Sequence, residues 1–127
     1  MQDNQLFEYA VIRVVPRVER EEFLNVGVIL FARQQNFLKT LFQLDKHRLQ
    51  AFSDKLDINE VEEHLLSLER ICQGGPGSGP IGQYDIASRF RWLTATRSTV
   101  VQTSKVHPGF CNNPEDAIQK LFNQLVL

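Results

Sequence analysis

The spacing of apolar and polar positions in the first third of the chain predicts three β-strands. Over 7–15 the side chains alternate between two faces, and Pro16 ends the run because proline has no amide hydrogen to donate to a sheet. The run 26–32 is apolar on both faces, which is typical of a central strand covered on both sides or covered by a partner. A third strand is predicted over 37–44. Because the connectors between these strands are short, we expect an antiparallel meander.

In most of the remaining chain, apolar residues recur at steps of three and four, which is the spacing of an α-helix. This spacing predicts four helices: a short one over 45–52, a well-defined one over 58–73, a short one over about 85–93 and a last one over 114–125. Asp57 stands three residues before Glu60, which resembles a capping box, in which two unpaired amides are satisfied reciprocally. Gly74 and Gly75 are typical of the end of the 58–73 helix, because glycine adopts the left-handed conformation at little cost.

These elements predict a single α+β domain over 1–127, with about four mainly antiparallel strands. The fourth strand is predicted over 98–104, and His107-Pro108-Gly109 is predicted to be a turn. We expect the long helix and the last helix to cover one face of the sheet. The other face would be covered by the 85–93 helix or by a second copy of the chain.

The stretch at about 74–82 is a break in composition, with five of the seven glycines of the chain. Within it, 77–82 matches the G-x-G-x-x-G pattern of dinucleotide-binding proteins, which requires a strand before it and a helix directly after it. Here a helix precedes the pattern, and Pro80 removes one amide that a phosphate would need. We therefore expect a flexible Gly/Pro-rich loop and no cofactor.

Composition narrows the class of protein without giving its function. The chain has 127 residues and a formal net charge of −1, and 43% of its residues are hydrophobic, which are ordinary values for a globular domain. Two cysteines exclude a disulfide-rich secreted scaffold. No apolar run approaches the ~18 residues of a membrane span, and the polar start is no signal peptide. We expect a cytoplasmic protein without membrane contact, and the charge balance does not indicate a nucleic-acid binder.

The charge is distributed unevenly, because 76–113 carries a local net charge of +3. The charged residues of this segment are Arg89, Arg91, Arg97, Lys105 and Asp85. Arginine matches phosphate and carboxylate geometry, and Phe90 and Trp92 could stack a base, which would make the segment an anion or nucleic-acid contact. Alternatively, the arginines pair with the acidic helix around 60–69 and the two aromatic side chains lie in or near the core. Spacing alone leaves both interpretations open.

Arg13 lies on an otherwise apolar strand face, between Val11 and Val15. A buried guanidinium needs a partner, because leaving a buried charge unpaired costs about 3 kcal/mol or more. The candidate partners in the next connector are Glu19, Glu21 and Glu22. We favour such structural pairing, while the same residues could instead form a polar pocket with Arg13.

The sequence gives little indication of a metal site or of nucleophilic catalysis. Only His107 and Cys111 have a plausible ligand spacing, and Cys72, on the apolar stripe of its helix, is more simply a core residue. Ser98 or Cys111 could be paired with His107 as nucleophile and base, but no third residue orients such a pair. The residues therefore indicate no metal site and no enzyme class.

Several blocks of the sequence resemble a known family. The blocks are YAVIRVVP at 9–16, EFLNVGVILF at 22–31, RFRWLTA at 89–95, RSTVVQ at 97–102 and VHPG at 106–109. They resemble the bacterial domain-of-unknown-function 3037 (DUF3037) family over most of the chain. The resemblance implies a small stand-alone bacterial protein without defined chemistry, often encoded beside a HipA-like kinase. It would then be an accessory or antitoxin-like partner of that kinase, as in a toxin–antitoxin pair.

The polar residues of these blocks suggest a site. They are Arg13, Asn25, Arg91, Arg97, Ser98 and His107. If their strands are neighbours, these groups could converge near the Gly/Pro loop as an anion pocket, which requires Arg13 and Arg97 to lie on the same side of the sheet. The favoured function is a non-enzymatic interaction or accessory module with a protein partner, and a homodimer is left open. The alternative is a phosphate- or nucleic-acid-binding or processing domain that uses the arginine and histidine cluster.

Overall fold

The computed structural model describes residues 4–97 and 99–127, except for the side chain of Val18. The strands are β1 (Gln5–Val14), β2 (Leu24–Ala32), β3 (Phe37–Phe42), β4 (Val101–Thr103) and β5 (His107–Cys111). The helices are α1 (Lys46–Phe52), α2 (Ile58–Gln73), α3 (Ile86–Leu93) and α4 (Pro114–Leu125). None of these helices is long and apolar enough to cross a membrane.

The strands form one antiparallel sheet around β1, so the predicted α+β fold is confirmed. β3, β2 and β1 form the expected meander. β5 and β4 both pair with the other edge of β1, β5 along 5–9 and β4 along 12–14. Where that edge is interrupted, the hydroxyl of Ser104 accepts a hydrogen bond from the amide of Val11 at 2.8 Å. This bond satisfies a buried amide that the gap between β5 and β4 would leave free.

The segment 107–111 is a strand and not the predicted turn. Pro108 and Gly109 are poor strand formers, but pairing with β1 overrides their preference. Pro108 is tolerated because β5 lies at an edge of the sheet. A Cβ at Gly109 would lie 2.5 Å from the ring of Phe7, so the position needs a residue without a side chain. The predicted strand over 98–104 shortens to the three residues of β4.

Helices cover both faces of the sheet, so the molecule has three layers. α2 and α3 pack on one face, where the core includes Ile12 and Phe90. α4 packs on the other face, where the core includes Leu30 and Ile118. β2 is buried on both faces, as its continuous apolar run predicted.

The prediction that the 58–73 and 114–125 helices cover the same face is wrong. They correspond to α2 and α4, which lie on opposite faces, and α3 shares the face of α2. An apolar stripe shows that a helix is covered but does not show which face of a sheet covers it. Because β2 is apolar on both faces, its sequence does not determine on which face of the sheet each helix packs.

A hydrogen-bonded loop joins α2 to α3. Gly74, with a φ of 72°, ends α2 as predicted. The Ser78 hydroxyl and the Gln83 side-chain amide both donate to the carbonyl of Gly75. Because the loop lies between two helices, it lacks the preceding strand that the dinucleotide-binding motif requires. That this loop is flexible stays a prediction.

Arg89 of α3 closes the C-terminal end of α2. The residue is 9% exposed, and its Nη1 donates to the carbonyls of Ile71 and Cys72 at 2.8 and 2.9 Å. Its Nε donates to the carbonyl of Tyr84 at 3.0 Å. A cation at this position satisfies carbonyls that have no partner within the helix and lies at the negative end of the helix dipole. Arg89 therefore joins the two helices, and it contacts neither an exposed anion site nor the acidic side chains of α2.

Cys72 is a buried core residue, as its place on the apolar stripe predicted. Its Sγ lies 2.9 Å from the hydroxyl oxygen of Thr40. Burial raises the pKa of the Cys72 thiol to about 11, because the thiolate would lose its hydration. The thiol is therefore protonated at neutral pH and poorly suited to act as a nucleophile.

We expect Cys72 to contribute stability that disappears as the pH rises from about 9 to about 11. Its pKa in the folded chain lies above the ordinary thiol value of 9.0, so the unfolded chain loses the thiol proton first. The contribution is complete below pH 9 and amounts to up to about 3 kcal/mol. Urea unfolding of the wild type and of Cys72→Ala over this range measures it. Parallel losses in the two proteins would show that Cys72 does not contribute.

Candidate functional site

The outward side of α3 carries aromatic and cationic side chains. The helix buries Arg89, Phe90 and Leu93. By contrast, Tyr84, just before the helix, and Trp92 are 51% and 39% exposed. Both line a shallow depression together with Arg33 and Arg91. This side of α3 thus combines exposed aromatic area with positive charge.

Two of the arginines on this side are held by groups of the protein itself. Arg91 donates two hydrogen bonds to the carboxylate of Glu8, at 2.9 and 3.0 Å, and these bonds raise the pKa of Arg91. Arg97 donates to the carbonyl of Trp92 at 2.6 Å, and its guanidinium lies 4.3 Å from the centre of the Trp92 ring. Both side chains are therefore fixed in position, and the charge of Arg91 is largely balanced.

Two exposed apolar side chains extend this area along the sheet. Leu6 of β1 and Phe110 of β5 are directly opposite each other and are 51% and 70% exposed. Leu6 lies on the same face of β1 as Glu8, two residues away, and Glu8 is bound by Arg91. We call the combined area the α3 surface, and its residues are Leu6, Arg33, Tyr84, Arg91, Trp92, Arg97 and Phe110.

A second polar group lies on the opposite, α4-facing side of the sheet. Arg13 pairs in register with Asn25 of β2 and with Gln102 of β4, so the three residues form a row across the sheet. The side-chain amide of Asn25 donates to the carbonyl of Leu125 at the end of α4. The guanidinium of Arg13 lies 4.0 Å from the centre of the Phe23 ring. We call the space beside it, of about 310 Å³, the Arg13 cleft, and its lining residues are Arg13, Val15, Glu21, Phe23 and Gln102.

The predicted pairing of Arg13 with a glutamate of the following connector is wrong. Glu19 pairs with Arg17 at 2.7 Å, and Glu22 pairs with Arg20 at 2.7 Å. In the described ranges, no carboxylate lies within 4.0 Å of the Arg13 guanidinium. Each of the two glutamates binds an arginine two residues away, because that partner is already close in the chain.

The structure does not bring the predicted site residues together in one pocket. Arg13 and Asn25 are neighbours on the α4 side of the sheet. Arg91 and Arg97 lie on the α2 and α3 side, where burial and the nearby Arg97 lower the pKa of His64. The predicted pocket required Arg13 and Arg97 to lie on the same side, and they do not.

The remaining two predicted residues do not complete such a pocket. His107 is exposed on β5, with its ring 5.4 Å from that of Tyr9. Ser98 lies outside the described residues. In the part of the chain that the structure covers, no three His, Cys, Asp or Glu side chains are grouped so that they could hold a metal ion.

Several residues of the α3 surface were not singled out from the sequence. Leu6, Tyr84 and Phe110 look like ordinary core residues there, because an apolar residue in a strand or beside a helix is usually buried. Glu8 fits the polar alternation of β1, but its pairing with Arg91, 83 positions away, depends on the fold. Arg91, Trp92 and Arg97 were singled out from the sequence, because they lie in the segment with a local charge of +3.

The chain was compared with known protein families, curated proteins and solved structures. Residues 9–126 match the family described as "Protein of unknown function (DUF3037)". The chain belongs to this family. No curated protein and no solved structure matches the DUF3037 chain significantly. The resemblance found in the sequence blocks is therefore confirmed, and the function has to be inferred from the side chains of the DUF3037 chain itself.

Proposed function

We propose that the DUF3037 chain is a non-enzymatic interaction module that binds a protein through the α3 surface. The observation that carries the proposal is that four large exposed apolar side chains lie on the side of the sheet that carries α3. Tyr84 and Trp92 line one depression, and Leu6 and Phe110 lie opposite each other on β1 and β5. Several large exposed apolar side chains on one side of a small domain are typical of a binding site. Tryptophan, tyrosine and arginine are also the residue types that contribute most to protein–protein binding energy.

The state of the arginines favours a protein over a nucleic acid as the partner. Nucleic-acid binding depends on cations that are free to neutralise phosphates. Arg89 is buried at the end of α2, and Arg91 is bound to the carboxylate of Glu8. Two of the four cations of 76–113 are thus buried or paired with a carboxylate, and the net charge of the chain is −1.

The first candidate partner is the HipA-like kinase that the family resemblance implies. The DUF3037 chain would then be an accessory or antitoxin-like protein of that kinase. Aromatic side chains suit this role, because they have few rotatable bonds and ordering them on binding costs little conformational entropy. Arg91 and Arg97, held by Glu8 and by Trp92, are likewise arranged before a partner arrives.

Co-expression of the tagged DUF3037 chain with a HipA-like kinase from the same organism tests the proposal. We expect the two proteins to purify together in a fixed ratio and to elute as one species in gel filtration. The same preparation should not retard RNA or DNA at low salt. A chain that purifies alone and retards nucleic acid in a strongly salt-dependent way would contradict the proposal and support the nucleic-acid alternative.

A further inference from the structure

The Arg13 cleft contains a guanidinium that the protein does not satisfy. No side chain or carbonyl of the described residues accepts a hydrogen bond from Arg13, and its Nε is enclosed without a partner. The neighbouring Asn25 Oδ1 is also enclosed and without a donor. Buried polar groups are nearly always hydrogen-bonded, and each exception costs roughly 1–3 kcal/mol. Arg13 therefore either lowers the stability of the fold or forms hydrogen bonds with a group from outside the chain.

The position of Arg13 is fixed by packing. Its guanidinium stacks on Phe23 at 4.0 Å, and its strand is flanked by β2 and β4. A planar guanidinium held in this way loses little freedom when it binds two oxygens side by side. The cleft of about 310 Å³ is at the lower end of the volumes of small-ligand sites.

We propose that the Arg13 cleft binds a small oxyanion, such as a carboxylate or a phosphate group, through the guanidinium of Arg13. Phe23 supports the planar cation, and Gln102 lies beside it in the same cleft. Of the Arg13 nitrogens only Nε is enclosed without a partner, so an anion that enters the cleft meets the two outer nitrogens, Nη1 and Nη2. The site lies on the opposite face of the sheet from the α3 surface and does not depend on the function proposed for that surface.

Glu21 allows an anion-binding Arg13 to be distinguished from a purely structural one. It lines the cleft and has a φ of 57°, and it forms no salt bridge with Arg13. Its negative charge opposes the entry of an anion into the cleft. Removal of that charge should therefore strengthen anion binding, whereas a purely structural Arg13 would be indifferent to it.

Titration of the ¹⁵N-labelled protein with inorganic phosphate and, separately, with succinate tests the proposal at constant ionic strength. The Nε–H resonance of Arg13 and the side-chain amide of Gln102 report binding directly. We expect a saturable shift at both positions with at least one anion, and the anion that saturates at the lower concentration identifies the preferred source of the oxyanion. Arg13→Lys keeps the charge but loses the planar geometry, and it should weaken binding about tenfold. Glu21→Gln should tighten it about threefold.

Arg20→Gln is the matched control, since Arg20 is an exposed arginine of the same connector and pairs with Glu22. It should leave the titration unchanged. The spectrum of each variant shows at the same time whether it is folded. The proposal is overturned if neither anion gives a saturable shift at Arg13, or if Glu21→Gln and Arg13→Lys bind as the wild type does.

Discussion

Replacement of Arg89 by methionine is expected to lower the free energy of unfolding by about 3 kcal/mol. The change leaves the carbonyls of Ile71, Cys72 and Tyr84 without the donor that they share. These groups lie between α2 and α3, where water replaces the guanidinium poorly. Methionine fills a similar volume, so the loss reports hydrogen bonds and charge more than packing. Urea unfolding followed by far-UV circular dichroism measures the effect.

Arg91→Met, two positions further along α3, is the matched control for Arg89→Met. Arg91 forms an exposed salt bridge with Glu8, with the two side chains 54% and 26% exposed. Exposed pairs contribute less than about 1 kcal/mol, so this variant should unfold nearly as the wild type does. Equal losses in the two variants would show that Arg89 does not cap α2 in the way described.

Replacement of Trp92 by alanine is expected to weaken binding of the protein partner at least ~30-fold, which corresponds to about 2 kcal/mol. Trp92 supplies apolar area to the α3 surface, and its ring also lies 4.3 Å from the guanidinium of Arg97. The fold should also lose about 2 kcal/mol, because most of the Trp92 side chain is covered, and circular dichroism of the variant checks that it remains folded. Isothermal titration calorimetry with the purified partner measures the affinity.

Phe52→Ala provides the control for Trp92→Ala. Phe52 lies on α1, outside the α3 surface, and is 38% exposed, close to the 39% of Trp92. If loss of any exposed aromatic ring weakened binding, both variants would show it. We expect Phe52→Ala to bind as the wild type does, and equal weakening in both variants would argue against a specific role of Trp92.

The elements that the sequence predicted well are those with local signals. α2 begins after the Asp57 cap and ends at Gly74, and both positions could be read from residues within one helical turn. β2 was recognised because a run that is apolar on both faces suits only a covered strand. By contrast, β5 and the side of the sheet on which α4 packs depend on contacts between residues far apart in the chain.

The arginines show why the candidate site was harder to predict than the fold. Arg89, Arg91 and Arg97 lie within nine positions, so from the sequence alone they look like one basic cluster. In the structure the first caps a helix, the second binds Glu8 and the third stacks on Trp92. The surroundings of each arginine come from another element, so composition could give the charge but not its role.

Arg13 was predicted partly correctly. Its place on an apolar strand face follows from alternation, and the structure confirms that place. Its partner was predicted wrongly, because proximity in sequence favoured the connector glutamates, while the folded connector brings Phe23 over the guanidinium instead.

Photo-crosslinking from the α3 surface tests the central claim most directly. A photo-reactive amino acid is placed at position 88, which is exposed beside Tyr84 and Trp92, or at position 119 on the exposed side of α4 as a control. With the candidate kinase-like partner present, we predict a crosslinked protein from position 88 and none from position 119. Crosslinking from position 119 alone, or to nucleic acid instead of protein at position 88, would contradict the assignment of the α3 surface as a protein-binding site.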